Sequence, residues 1–306
     1  MLHIFIDYIS IFTIASQKKG FIKTKIMKKV IFALGVLFLF ACNKTSPNNQ
    51  NDSPNISGKQ IFKEPSPTVG INFVRVNNQD VLNGLIFDNV NTDGNKSYGS
   101  LIVSKTNGYP VFDGNESARF EVRNGDCGWN SGFSDCATNR MRSEMYEFNP
   151  QSEIGKIISF TENIYIPAQS KFRPAGDNLM VLTQINYSDT VNAFGALAYL
   201  VMENNNTLLI RTHKNFTWDW NKNYTITTNP YDKWITIKYQ IKVSDKSDGE
   251  IAVFIDGNLL FSEFRPTLIT KSGRVYMKFG IYNSFIDRAT EPYQTQIMYF
   301  DGIRKN

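Results

Sequence analysis

From Val69 onward the chain is patterned in twos. Ile235, Ile237, Tyr239, Ile241 and Val243 alternate with Thr236, Lys238, Gln240 and Lys242, the period of a strand with one dry and one wet face. Ile251 to Ile255 forms a second such stretch, joined to the first through Ser247-Asp248-Gly249. Ile158, Phe160, Ile164 and Ile166 line one side of another. Turn dipeptides punctuate the run: Asn83-Gly84, Asp93-Gly94, Asn107-Gly108, Asp113-Gly114, Asn124-Gly125, Asp256-Gly257 and Asp301-Gly302. No long segment carries helical periodicity. The pattern therefore predicts an all-β sandwich.

The wet faces of several strands carry more chemistry than solubility requires. In Tyr276 to Asn283, Met277, Phe279 and Ile281 point to a core, while Tyr276, Lys278 and Tyr282 share the other face with Gly280 between them. The bare glycine is expected to leave room beside Lys278 and Tyr282, where a phenol next to a cation can lose its proton. In Arg140 to Tyr146, both arginines, Glu144 and Tyr146 lie opposite Met141 and Met145. Gln184 and Asn186 share a face opposite Ile185, and Arg119, Glu121 and Arg123 alternate with Phe120 and Val122. Guanidinium, amide, ammonium and phenol groups are those that bind and polarise a carboxylate.

Composition changes the picture mainly at the N-terminus. The formal charge is +5, but residues 1–42 hold six lysines and one aspartate, which leaves 27 basic and 27 acidic residues in the rest. A near-neutral remainder gives no reason to expect a nucleic-acid partner; an anion-binding surface must be local. Met27-Lys28-Lys29 followed by the apolar run Val30 to Ala41 reads as a signal peptide too short to span a bilayer, with Met27 the expected start. It ends Leu39-Phe40-Ala41-Cys42, which resembles a bacterial lipobox and would make Cys42 the lipidated residue of an exported lipoprotein of the outer membrane; a plain secretory signal is the alternative. Residues 43–68, rich in Asn, Ser, Pro, Lys and Gln, form a flexible linker, and 69–306 the folded domain, expected to be a monomer. In an exported protein Cys127 and Cys136 read as a disulfide. Two cysteines and His213 do not make a tetrahedral zinc site, so no metal and no cofactor are expected.

Arg142-Ser143-Glu144-Met145, Gln184-Ile185-Asn186 and Tyr276 to Asn283 resemble three motifs of jelly-roll polysaccharide lyases, R-S-E-L, Q-[IVW]-H and Y-x-K-x-G-x-Y. The motifs occur in jelly-roll alginate lyases and more loosely in relatives of heparin lyase I and glucuronan lyase. Trp234 to Gly257 and the Gly125-Asp126-Cys127 to Asp135-Cys136 segment also look like the heparin lyase I group. The resemblance covers roughly residues 110–302 and implies a concanavalin-like jelly roll with a concave polar face. One position departs from the pattern: the family's histidine is Asn186 here.

The resemblance implies metal-independent β-elimination on a uronate-containing acidic polysaccharide. Arg142, Gln184 and Asn186 would neutralise the sugar carboxylate, and Tyr282 would act as base and acid. Lys278 and the arginines would favour its phenolate against a normal value near 10. Arg123, Arg140, Glu144 and Tyr276 would contact substrate, with Glu144 orienting Arg142 or Lys278 rather than serving as a base. His213 is either a displaced base or a structural residue. Two other readings stay open: a non-catalytic, lectin-like glycan-binding lipoprotein, and a structural adhesion domain.

Overall fold

Alternation becomes two antiparallel sheets in the computed structural model. It describes residues 74–76, 79–82, 85–88 and 96–306, except 131–132, 148–149, 151, 171–178, 190–193, 204–205, 215 and 217–219. Cys42, the signal segment and the proposed linker lie outside the described residues, which all fall within one compact unit, Ser57–Asn306.

The first sheet has nine strands. In spatial order they are β1 (Val74–Val76), β2 (Gln79–Leu82), β3 (Leu85–Asp88), β8 (Arg140–Glu147), β17 (Arg274–Ser284), β10 (Leu179–Ser188), β11 (Phe194–Met202), β12 (Leu208–His213) and β13 (Trp220–Thr227). The second has seven: β16 (Asn258–Phe264), β15 (Glu250–Ile255), β14 (Trp234–Lys242), β9 (Ile157–Tyr165), β18 (Gln296–Lys305), β5 (Glu116–Val122) and β4 (Ser100–Ser104). A small hairpin pairs β6 (Trp129–Asn130) with β7 (Phe133–Ser134). The order within each sheet is non-sequential, so the chain shuttles between layers, as expected of a jelly-roll sandwich.

The core is the set of alternate positions that face inward. Ile235, Ile237, Tyr239 and Ile241 of β14 are buried, as the period-2 reading requires, and pack with Met277, Phe279 and Ile281 of β17 and Met141 and Met145 of β8. The β15–β16 hairpin turns at Asp256-Gly257, both with positive φ (49° and 82°), the conformation a two-residue hairpin loop demands. Asp301-Gly302 differs from the sequence reading. It lies inside β18, where the register against β9 shifts between Asp301 and Arg304, and marks a bulge rather than a turn.

Polar groups also cross the interior. Ser143 Oγ of β8 donates to the Gly99 carbonyl (2.6 Å), and Asn283 Nδ2 of β17 donates to Gln296 Oε1 of β18 (2.6 Å). Thr183 Oγ1 of β10 donates to Glu162 of β9 (2.8 Å), and Thr212 Oγ1 of β12 to Glu263 of β16 (3.2 Å). The buried Arg265 guanidinium holds the Leu197 carbonyl of β11 at 2.6 Å and also donates to the His213 carbonyl.

Candidate active site

The outer face of the nine-stranded sheet gathers the motif residues. β17 sits between β8 and β10, with Tyr282 opposite Arg142 and Val181, Lys278 opposite Tyr146 and Gln184, and Tyr276 opposite Asn186. Gly280 faces Glu144. Between Tyr282 and Phe279 the register against β10 slips, so Gly280 and Ile281 together oppose Leu182. A bulge of this kind bends the strand and re-aims its side chains.

Gly280 is required for a reason other than the expected open space. Its φ is +136°, and a Cβ would fall on the Ser143 carbonyl oxygen and within 2.8 Å of the Glu144 Cα. The glycine lets the backbones of β8 and β17 close up; it does not leave a gap beside Lys278 and Tyr282.

Glu144 is the hub of the cluster. Its buried carboxylate accepts from Gln184 Nε2 and from Arg142 Nη1 (3.3 Å), and Lys278 Nζ lies 3.9 Å away. Gln184 Oε1 in turn accepts from Asn186 Nδ2 at 3.3 Å. Glu144 thus touches both Arg142 and Lys278, the two side chains it is expected to orient. Arg142 is gripped from its other side by Asp135, whose two carboxylate oxygens take Nε and Nη2 at 2.6 Å each. Burial alone would lower the Arg142 guanidinium, but Glu144 and Asp135 outweigh it and hold it above its ordinary value. Its carbon lies 4.4 Å from the Tyr282 ring centre. Arg142 is thus compensated by two carboxylates before any ligand arrives, which weakens its expected part as the neutraliser of a substrate carboxylate.

Tyr282 is half-buried, and Arg140 Nε donates to its hydroxyl at 2.7 Å. Burial pushes the phenol above its ordinary value; Arg142 and Arg140 pull it back without cancelling the rise, and Glu144 adds to it. The expectation that Lys278 favours a phenolate is corrected here. The ammonium sits beside Glu144 and 6.0 Å from the centre of the Tyr146 ring, and burial dominates the phenol. Tyr276 is pushed up to about 12 by burial and by Glu144.

The remaining predicted residues divide. Arg123 does not join the cluster. It follows β5 of the opposite sheet, pairs with Glu121 and lies 3.7 Å over the Tyr98 ring. His213 is buried, with its ring 4.8 Å from Tyr199 in an edge-to-face arrangement. Tyr199 shares a small apolar cluster with Val181, Val201 and Tyr282, and burial pushes its phenol far up. Cys127 and Cys136 are bonded, with Cα atoms 5.2 Å apart. The bond anchors the segment that presents Asp135, whose carbonyl also accepts from the Arg140 amide at 3.0 Å. Sequence reasoning missed Asp135 and Tyr199. Asp135 had one signal, its place beside Cys136; Tyr199 had none. Among the described residues no group of three or more His, Cys, Asp or Glu side chains is placed to hold a metal ion.

A family model described as polysaccharide lyase matches residues 88–304. Among solved structures, the chain is similar to an endo-β-1,4-glucuronan lyase from the fungus Trichoderma reesei, at 14% identity and TM-score 0.48 over 72% of this chain and 94% of that one. It is similar to an alginate lyase from a Chlorella virus, at 15% identity and TM-score 0.44 over 72% and 92% of the two chains. A marine alginate lyase from Zobellia galactanivorans aligns at 13% identity and TM-score 0.43 over 65% and 83%. No curated protein sequence matches the chain. The family model spans the β-sandwich from the end of β3 to β18, and the chain belongs to the polysaccharide lyase family.

Proposed function

We propose that the protein cleaves a uronate-containing acidic polysaccharide by β-elimination, with Tyr282 as both base and acid. The observation that carries this reading is one polar face that a phenol bonded to Arg140 at 2.7 Å shares with Arg142, Lys278, Gln184 and Asn186. The remaining N–H bonds of the two amides, with Lys278, hold the sugar carboxylate and stabilise the enolate that forms as C5 loses its proton. The electron pair left on C5 makes the C4–C5 double bond, and the C4–O4 bond breaks. Tyr282 then returns the proton to O4. Asn186 stands where the family pattern has histidine, and an amide cannot take a proton near neutral pH. One group therefore serves both steps from one side of the ring, which is syn elimination. It requires C5–H and O4 on the same face, as in mannuronate and glucuronate.

The phenol must be ionised to act, and its value is raised. Activity should therefore climb about tenfold per pH unit across the neutral range and level off only in the alkaline range. The test follows the ultraviolet absorbance of the unsaturated product on defined polymers. Tyr282→Phe should abolish turnover, and mannuronate- or glucuronate-rich chains should be preferred. Robust cleavage of pure polyguluronate would overturn the syn scheme; tight binding without any rise in absorbance would make the protein a glycan-binding module.

A further inference from the structure

We infer that Arg140, not Lys278, is the cation that governs proton transfer at Tyr282. The inference rests on the elimination scheme above and assigns its electrostatic partner. Three cations share the face, and their geometry separates them. Arg142 has Nε and Nη2 committed to Asp135 and Nη1 to Glu144; it meets the Tyr282 ring with its carbon, not the hydroxyl with an N–H. Lys278 is four residues along β17, about 13 Å by the strand rise, and its ammonium lies beside Glu144. Arg140 alone of the three aims an N–H at the phenol oxygen, at 2.7 Å.

Arg140 is also held in place independently of Tyr282. Its amide bonds the Asp135 carbonyl at 3.0 Å and its Nη1 the Thr138 carbonyl at 3.4 Å. Among the described residues no carboxylate lies within ion-pair distance of it, so its charge is not spent on a neighbour as that of Arg142 is. The groups facing Tyr282 are then Arg140, Arg142 and Glu144 from β8 and Tyr199 from β11, while β10 offers the uncharged Val181. A fixed cation at the oxygen acts twice. It favours the phenolate that takes the C5 proton, and it makes the resulting phenol a better acid toward O4.

The test titrates Tyr282 directly. In protein carrying tyrosine labelled with carbon-13 at the ring carbon bonded to oxygen, the resonance that disappears in Tyr282→Phe is assigned and followed against pH. Arg140→Gln should move its midpoint to higher pH by about one to three pH units, so that phenolate at a fixed lower pH falls at least tenfold. Arg140→Lys should recover part of that loss, and Lys278→Gln should leave the midpoint in place. The kcat/KM profile should move to alkaline pH in the same order. An unmoved midpoint in Arg140→Gln, or an equal displacement in Lys278→Gln, would overturn the assignment. Should Arg140→Gln fail to fold, Lys278→Gln still decides: a midpoint that moves there by about one pH unit or more refutes the assignment, and an unmoved midpoint supports it. No substrate is needed. A protein whose midpoint moves as expected but which cleaves no polymer would sink the elimination scheme and leave Arg140 standing. Cleavage with an unmoved midpoint would sink Arg140 alone.

Discussion

Glu162 occupies an inward position of β9, between Phe160 and Ile164, and is wholly buried. Its carboxyl accepts from Thr183 Oγ1 at 2.8 Å and from the Tyr239 hydroxyl at 3.0 Å, with no cation among the described residues paired to it. Burial pushes it up from 4.5 to about 8, against the pull of the two hydroxyl donors. The sign follows from linkage. The folded state keeps a proton that the unfolded chain gives up above pH 4.5, so stability falls as pH rises, by about 1.4 kcal/mol per unit, until the folded group also ionises near 8. Between 4.5 and neutral pH the loss is on the order of 3 kcal/mol. Glu162→Gln removes the titration and keeps the shape; its amide oxygen can accept from Tyr239 while its nitrogen donates to Thr183 Oγ1. Denaturant unfolding of both proteins from about pH 5 to about pH 8 should show the variant gaining on the parent by several kcal/mol. Glu147 and Asp301 are also raised by burial, but both are present in both proteins and cancel in the difference. A constant difference across that range would mean that Glu162 keeps an ordinary carboxyl value in the folded protein.

Gly280→Ala should cost about 3 kcal/mol or more, because the obstructing atoms are β8 backbone and φ is +136°; thermal unfolding near the parent midpoint would show that the strands do not approach so closely. Breaking the Cys127–Cys136 bond by Cys136→Ser should cost about 2–3 kcal/mol and slacken Asp135, while alkylation of both cysteines in the native protein without reductant would contradict the pairing. Cys42→Ala should move the protein from the membrane fraction to the soluble one; an unaltered protein already soluble after lysis would end the lipoprotein reading.

The strands whose two faces differ were legible. β14 reads correctly because its outward Thr236, Lys238, Gln240 and Lys242 stay polar. The same rule hid other features. A period of two says which side chains share a face, not which sheet the strand joins, and so Arg119, Glu121 and Arg123 looked equivalent to Arg140, Arg142 and Glu144 although they lie on opposite layers. β11 is buried on both faces, through Ala196, Tyr199 and Val201 on one side and Leu197, Ala198, Leu200 and Met202 on the other. Its apolar run gave no sign that Tyr199 borders the site. Asp135 reaches Arg142 from a loop, where no periodicity operates, and Glu162 breaks its strand's apolar series because two hydroxyls from other strands satisfy it.

The hydrogen bonds that cross the interior bear on a different kind of stability. Apolar layers resist being pulled apart, but they resist sliding over one another much less, since dispersion and water exclusion have no preferred direction. A hydrogen bond weakens steeply with misalignment. The five consecutive strands β8, β17, β10, β11 and β12 each carry at least one such cross-layer bond, at Ser143, Asn283, Thr183, the Leu197 carbonyl and Thr212. Together they act as dowels through a laminate. A polymer pulled across the outer face would load the sheet in shear, and the dowels would pass that load to the second layer, so that the strands presenting Arg140, Tyr282 and Gln184 would keep their mutual alignment.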